Sequence, residues 1–463
     1  MKINGANVKK AYYYLKKNGL KQTRYAVLER LSDKESDNYV FAPISKEEEL
    51  KQKQENWEEK ITFSIVVPMY ETDEMFAKEM ILSVLNQTYP HFELILADAS
   101  SSDKVKDVVE TFSDERIIYQ RLEENLGISE NTNAALDFAK GDYVALLDHD
   151  DLLTVDALYE NAVEIKRQKE LGKDPVYIYS DEDKLAEDGK TYYDPNIKPK
   201  FNKDLLLSNN YICHLLVMKV DRIKELGFRK AYDGAQDFDL VLRASEYADA
   251  DHVICHINKV LYHWRCHRQS TAANPQSKLY AYESGKKAVE DYLRRQKLVA
   301  TVRHTAYNGF YRVEYHDLFA QRKDVGVIAG PICKGNKITS GILNKEGEAI
   351  YNGLNKNFGG YLHRAALHQD AEAVDFRYAL IRIDAFKLAI ETIKSLKLNK
   401  DITNRVIGFL TLPLEQRESW LKHNKFRNEM WMQISFALSK AIQDAGYLLY
   451  YDPKIKPLRE DKL

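Results

Sequence analysis

The chain has 463 residues, too many for one ordinary hydrophobic core, so two or more domains are expected. A hydrophobic content of 44% with 30% charged residues describes a well-packed soluble protein, and Lys+Arg 68 against Asp+Glu 70 leaves no net charge to draw it to nucleic acid. No apolar run reaches the roughly 18 residues of a membrane span, and the N-terminus lacks the apolar core of a signal peptide.

In chain order, residues 1–60 read as a basic helical segment and connector. In the first 30 residues Lys2, Lys9, Lys10, Lys16, Lys17, Lys21, Arg24 and Arg30 stand against only Glu29, and Val8, Tyr12, Leu15 and Leu20 fit a rough helical stripe. Such a helix suits an anionic membrane surface; a solvated helix packed on the main domain explains the pattern equally well. The texture changes near residue 61. "FSIVVPMY", "HFELILADAS", "RIIYQRL" and "DYVALLDHD" predict strands, separated by helices in "MFAKEMILSVLNQTY", "VKDVVETF" and "SENTNAALDFA". This alternation predicts an α/β fold, a mainly parallel sheet with helices on both faces and ligands at the carboxyl ends of its strands. Tyr70, Glu71, Asp98, Asn125, Asp148 and Asp150 gather at those ends.

Further along come a helix after residue 155, a strand in "VYIYSDEDKL", and a Tyr-, Asn- and Pro-rich segment to about 212. Regular structure returns in "HLLVMKVDRIKEL", "DFDLVLRASEYA" and "VLYHWRCHRQSTA", with a helix over about 276–297. Cys213, Cys255, Cys266 and Cys333 form no C-x-x-C pair, which argues for reduced thiols in a cytoplasmic protein.

Three clusters carry chemistry. Asp148 and Asp150, two apart beyond a buried strand, suit a hard cation such as Mg²⁺ or Mn²⁺; capping of the next helix by Asp150 or Asp151 is the bland alternative. Asp237 and Asp239 open an amphipathic helix whose positive end keeps an acid ionised, as a general base or as a cap. In "YHWRCH", an imidazole of His263 or His267 suits a metal shell, and Arg265 suits phosphate oxygens. Asp181, Glu182 and Asp183, just after the strand that "VYIYS" begins, are expected either to bond sugar hydroxyls or to form a solvated turn.

The motifs "IVVPMYE", "ADASSSD", "ENLGISENTNAAL", "LLDHDD", "YSDEDK", "DGAQDFDL" and "HWRCHRQSTA" occur in series from about residue 63 to 272. Over that span the chain resembles an inverting family 2 glycosyltransferase with the GT-A fold, of the kind that makes bacterial surface polysaccharides and includes rhamnosyltransferases. The resemblance implies that Pro68, Tyr70, Glu71, Asp98, Asn125, Gly127, Asn133 and Asp148 surround the nucleotide. Asp148 and Asp150, with His263 and His267, would hold Mg²⁺ or Mn²⁺. Asp237 would be the catalytic base, with Gln236 where an acid is commoner, and Asp181, Asp183, Gln236, Trp264 and Arg265 would meet the donor or acceptor sugar. The implied donor is dTDP-rhamnose or a UDP-sugar, and the implied acceptor a growing, lipid-linked polysaccharide at the inner membrane face, where the protein would sit peripherally.

The domains expected are 1–60, 61–300 for the GT-A domain and 301–463. In the last, "VGVIAGPICKGNKITSGILN", "DFRYALIRIDAFKLAI" and "FALSKAIQDAGYLLYYDPKIKPL" echo the acceptor half, with Ser435 and Ala437 where an acid would stand. This degenerate repeat is expected to bind acceptor or form a homodimer; an unrelated helical tail is the alternative. A nucleotidyltransferase would need a Gly-rich basic loop that "VVPMYETDE" lacks, whereas a non-catalytic scaffold in a polysaccharide assembly complex is the alternative to the transferase.

Overall fold

A computed structural model describes residues 5–32, 39–267, 279–424 and 426–462. The chain divides into two compact units, one of Lys34–Phe201 and Asn210–Tyr292, the other of Met1–Asp33, Asn202–Asn209 and Leu293–Leu463.

Helix α1 (Gly5–Ser32), in the second unit, is interrupted at Gly19 (φ 75°, ψ 170°). The break places Leu20 on a new helical arm, so the stripe expected through Leu15 and Leu20 is not continuous. The first unit starts with α2 (Lys46–Gln54), capped by the Ser45 hydroxyl. Then follow β1 (Phe63–Met69), α3 (Glu74–Leu85), β2 (Phe92–Asp98), α4 (Lys104–Val109), β3 (Ile117–Arg121), α5 (Ile128–Asp137), β4 (Tyr143–Leu146), β5 (Leu152–Leu153), α6 (Ala157–Glu170), β6 (Asp174–Ala186) and β7 (Tyr192–Asn196). The second unit takes α7 (Lys203–Ser208). The first resumes with β8 (Leu216–Lys219), α8 (Val220–Leu226), α9 (Gln236–Ala244) and β9 (His252–Cys266), and ends at Tyr292 within α10 (Leu279–Arg295).

The first unit is built on one sheet in the order β3-β2-β1-β4-β8-β6-β9-β5, with β7 on β6. Strands β1 to β4 run parallel, and β8 is antiparallel to both β4 and β6. This is the mixed α/β architecture expected of the GT-A fold. Every residue of β1 is buried, as a central parallel strand requires. Pro68 is tolerated there because β1 pairs with β4 only from Phe63 to Val66, so its missing N–H falls beyond the ladder.

Two boundaries differ from expectation. Strand β4 stops at Leu146, and Leu152 and Leu153 return as β5 against His263 and Tyr262. Strand β6 runs on to Ala186, so Asp181, Glu182 and Asp183 lie inside it rather than after it. Neither Asp150 nor Asp151 caps α6, whose N-cap is Asp156.

The second unit contains the hairpin β10 (Ala300–His304) and β11 (Tyr311–Tyr315), α11 (Leu318–Gln321), β12 (Val325–Ala329), β13 (Ile332–Lys334), β14 (Lys337–Ser340), β15 (Ile342–Leu343), β16 (Gln369–Asp370), β17 (Ala373–Val374) and β18 (Ala379–Ile381). Helices α12 (Ile383–Ser395), α13 (Lys400–Leu410), α14 (Leu414–His423) and α15 (Asn428–Asp444) follow, then β19 (Leu448–Tyr451) and β20 (Leu458–Arg459). Its core gathers Phe376, Ile393, Phe409, Trp431, Ile434 and Leu438. Strand β12 has β18 antiparallel on one side and β19 parallel on the other, the arrangement β6 has with β8 and β9.

Candidate active site

The acidic turn beyond β4 is built from its buried member outward. Asp151 is fully buried; its Oδ2 accepts from the Tyr262 hydroxyl at 2.5 Å and its Oδ1 from the Arg265 amide at 2.7 Å. The Arg265 guanidinium donates to the Asp150 carbonyl at 2.6 Å and to Glu79 Oε2 at 2.6 Å, and it lies over the Phe76 ring. Burial, reinforced by the charges of Asp150 and Asp148, pushes the Asp151 carboxyl well up. With Asp151 and Arg265 holding the backbone, the Asp148 side chain is 53% exposed and that of Asp150 is 19% exposed. His267 Nε2 stands 2.9 Å from Asp150 Oδ2.

A second wall comes from the segment entering β8 and from α9. Asp237 lies in the first turn of α9, whose N-cap is Ala235, so it is not a cap. Asn210 Nδ2 donates to its Oδ2 at 2.6 Å, and Cys213 Sγ is 3.7 Å from the same oxygen. Burial raises the Asp237 carboxyl above its ordinary value against the opposing pull of His214, and the charge of Asp148 adds to the rise. Asp239, two residues on, is fully buried and paired with Arg229 and Arg243, which makes it structural.

His214 connects the two walls. Its Nε2 is 3.6 Å from Asp148 Oδ2, its Nδ1 is 3.3 Å from Glu182 Oε2, and its ring stacks on Tyr262 at 4.5 Å and 8°. Donor atoms of Asp148, Asp151 and His214 lie within 4.8 Å of one another, as do those of Glu182, Cys213 and His214. Behind it, buried Lys198 donates to Glu182 Oε2 at 3.2 Å and to the carbonyls of Ile212 and His214. Burial alone would raise the Glu182 carboxyl, but Lys198, His214 and Asn196 outweigh it and bring it to about 2. Two non-glycine residues of this rim, Glu71 and Cys213, have positive φ (46° and 39°), a strain that clusters at functional sites.

The β1–β3 side of the rim carries the residues expected to meet a nucleotide. Tyr70 is half exposed, and Glu71 accepts from the Ser101 amide and hydroxyl at 2.8 and 2.7 Å. Buried Asp98 accepts from Tyr119 at 2.8 Å, Arg121 at 3.2 Å and the Ser100 amide at 2.9 Å. Asn125 Oδ1 accepts from the Gly127 amide at 3.1 Å and from Asn131 at 2.8 Å. Gly127 has a φ of 98°, strained for any other residue, and a Cβ there would press on the Asp233 carboxylate at 3.0 Å.

Several residues singled out from the sequence are instead spent inside the fold. Asn133 exchanges two hydrogen bonds with the Phe228 backbone (2.9 and 2.8 Å) and braces α5. Asp181 accepts from the Lys198 amide and faces His256; Asp183 faces His263 at 2.5 Å and accepts from Tyr39. All three acids of β6 are buried, and Glu182, not Asp181 or Asp183, contacts His214, because alternation along the strand turns neighbours to opposite faces. The same alternation in β9 separates His263 and Arg265 from Tyr262 and Trp264. His263 is therefore packed between Phe41 and Tyr192 rather than beside Asp150, and Arg265 braces the turn rather than awaiting phosphate. Trp264 lies 6.1 Å from His214, and Gln236 accepts from the Gly234 amide. Sequence reasoning missed Asn210, Cys213, His214 and Lys198. The available signal was the polar "NNYICH" directly before a strand that pairs beside the acidic one.

Residues 64–227 match the family described as "Glycosyl transferase family 2". The chain is 43% identical over 236 residues to the uncharacterized protein y4gI of Sinorhizobium fredii, covering 50% of this chain and 25% of that one. It is 33% identical over 258 residues to the O-antigen biosynthesis protein RfbC of Myxococcus xanthus (54% and 19% covered). It is 32% identical over 200 residues to the amylovoran biosynthesis glycosyltransferase AmsB of Erwinia amylovora (40% and 64% covered). The chain thus spans a quarter or less of the length of the first two of these relatives.

Proposed function

We propose, from the premise that residues 64–227 belong to glycosyl transferase family 2, that this chain moves a sugar from a nucleotide-diphosphate donor to a hydroxyl of a growing bacterial surface polysaccharide. The observation that carries this reading is the single rim on which the Asp148–Asp150 turn and Asp237 stand, joined by His214. Relatives named for O-antigen and amylovoran biosynthesis support the polymer class. From the sub-group resembled, we take dTDP-rhamnose as the donor, with a UDP-sugar second, and a lipid-linked acceptor at the inner membrane face.

Asp237 takes the proton of the acceptor hydroxyl as that oxygen forms its bond to the anomeric carbon. The bond from that carbon to the diphosphate breaks on the opposite side, so the configuration inverts. Burial of Asp237 raises its proton affinity towards the working pH, which favours a general base. Asn210 points the carboxylate, and the Asp98 and Glu71 edge receives the nucleoside.

The acidic turn has the chemistry a hard divalent cation takes, an exposed Asp148 carboxylate and an imidazole against Asp150, while among the described residues the donor atoms of Asp148 lie within 4.8 Å of those of Asp151 and His214. Asp148, Asp150 and His267 are the residues that would hold Mg²⁺ or Mn²⁺. Such an ion, when bound, supplies positive charge to the departing diphosphate. We read the second unit as a degenerate repeat of the acceptor half, on the shared pattern of β12 and β6. Its Ser435 is buried and receives the Phe376 amide, a structural task.

The test is diphosphate release from a panel of UDP-, dTDP- and GDP-sugars with Mn²⁺, Mg²⁺ or EDTA, beside thermal shifts. One nucleotide sugar should stabilise the protein only with metal and be turned over slowly. Asp237→Asn should keep the thermal shift and lose roughly 10²–10⁴-fold in turnover. Binding of no nucleotide, or normal turnover by Asp237→Asn, overturns the proposal.

A further inference from the structure

The part of α1 beyond Gly19 packs inward through one face and leaves another uncovered. Glu29 accepts from the Gly360 amide at 2.7 Å, and Tyr25 and Ala26 share that half-buried side. On the opposite side Leu20, Val27, Leu28 and Leu31 are 79%, 47%, 43% and 61% exposed. Their spacing of 20, 27, 28 and 31 is that of one helical face, and exposed Lys21 and Arg24 lie within the same arc. Glu29 is the only carboxylate in Gly5–Ser32, and it is committed inward.

We infer that this helical arm is a docking surface for an anionic lipid bilayer. Four large apolar side chains in water need a cover, and their setting selects which one. Leucine and valine side chains enter the boundary between headgroups and acyl chains, while lysine and arginine extend their stems along it and place their charges among lipid phosphates. A second copy of this chain fits less well, because a two-fold contact would bring Lys21 and Arg24 against their own equivalents with no acid on the face to offset them. The surface gives physical form to the inner-membrane setting proposed above. Its test needs no sugar transfer, so failure of either proposal leaves the other standing.

The experiment is co-sedimentation of the full chain with vesicles of phosphatidylcholine, alone or with a quarter phosphatidylglycerol, beside light scattering without lipid. The chain should partition onto the anionic vesicles and not the zwitterionic ones. Leu28→Gln with Leu31→Gln should weaken partitioning by at least about tenfold, and so should Lys21→Gln with Arg24→Gln, the wild-type binding also falling as salt rises. All four positions are exposed, so circular dichroism should be unchanged. Absence of partitioning by the wild type, or partitioning by both double variants equal to that of the wild type, overturns the inference. A dimer that Leu28→Gln with Leu31→Gln dissociates also overturns it and assigns the stripe to a second copy.

Discussion

Asp237 has to stay ionised yet be basic enough to take a proton from a sugar hydroxyl. Its surroundings set the two requirements against each other. Burial and the Asp148 charge raise its proton affinity, while His214, the Phe238 amide and Asn210 favour the charged form; Cys213 contributes a thiol at 3.7 Å. Because a base works deprotonated and this one is raised, the acid limb of a kcat/KM profile should lie above the ordinary carboxylate range, with activity lost as pH falls through it. Asn210→Ala removes a hydrogen bond that favours the carboxylate, so it should move that limb to still higher pH, a change a merely structural role would not produce. The pH–rate profiles of wild type and variant check both statements.

At the scale of the element, β6 is decisive. Its register against β9 shifts around Ser180, Asp181 and Glu182 with the extra residues on β9, so β6 itself keeps the two-residue alternation of its side chains. Glu182 consequently faces Lys198 and His214, while its two neighbours support His256 and His263. Its carboxyl, brought from 4.5 to about 2, is lower in the folded than in the unfolded chain. The stability it contributes is therefore full above the unfolded value and is lost as pH falls from there through about 2. Lys198→Met leaves a buried carboxylate without its cation and should cost about 3–5 kcal/mol at neutral pH. Urea unfolding should show that loss shrinking as pH falls through the same window, where Glu182 can take up a proton instead. Half of this could be expected from "YSDEDK": three acids near a strand end draw attention, but which face of β6 meets the rim is set by long-range pairing that leaves no mark in residue type.

At the scale of the whole molecule, Asn202–Asn209 lies in the second unit although the chain on both sides belongs to the first. Arg322, buried to 1% exposure, ties it there through paired bonds to Asp204 at 2.6 and 3.0 Å and also binds Asp324. Ser208 adds a bond to the His368 carbonyl, and Asn202 bonds both backbone groups of Asp370. Arg322→Met should destabilise the second unit by about 3–5 kcal/mol, because it strands a buried carboxylate. Limited proteolysis should then cut within residues 200–210, where the wild type resists. Resistance in the variant would show that α7 is held by its leucines alone.

The alternating strands, the acids beyond β4, the acid opening α9 and the cationic N-terminus are all legible in the amino-acid order. Each depends on local periodicity or on residue type at an element's end, and these are short-range properties. His214, Asn210 and Lys198 were not legible. They reach the rim only because β8 inserts antiparallel between β4 and β6. The assignments of His263, Arg265, Asp181, Asp183 and Asn133 depended on the face each would occupy. Strand pairing, a bulge and a helix brace settled those faces, and the break at Gly19 settled which residues of α1 share a side. Sequence order determined the chemical groups and the strands that carry them; long-range pairing decided which groups meet, because one residue of register exchanges the two faces of a strand.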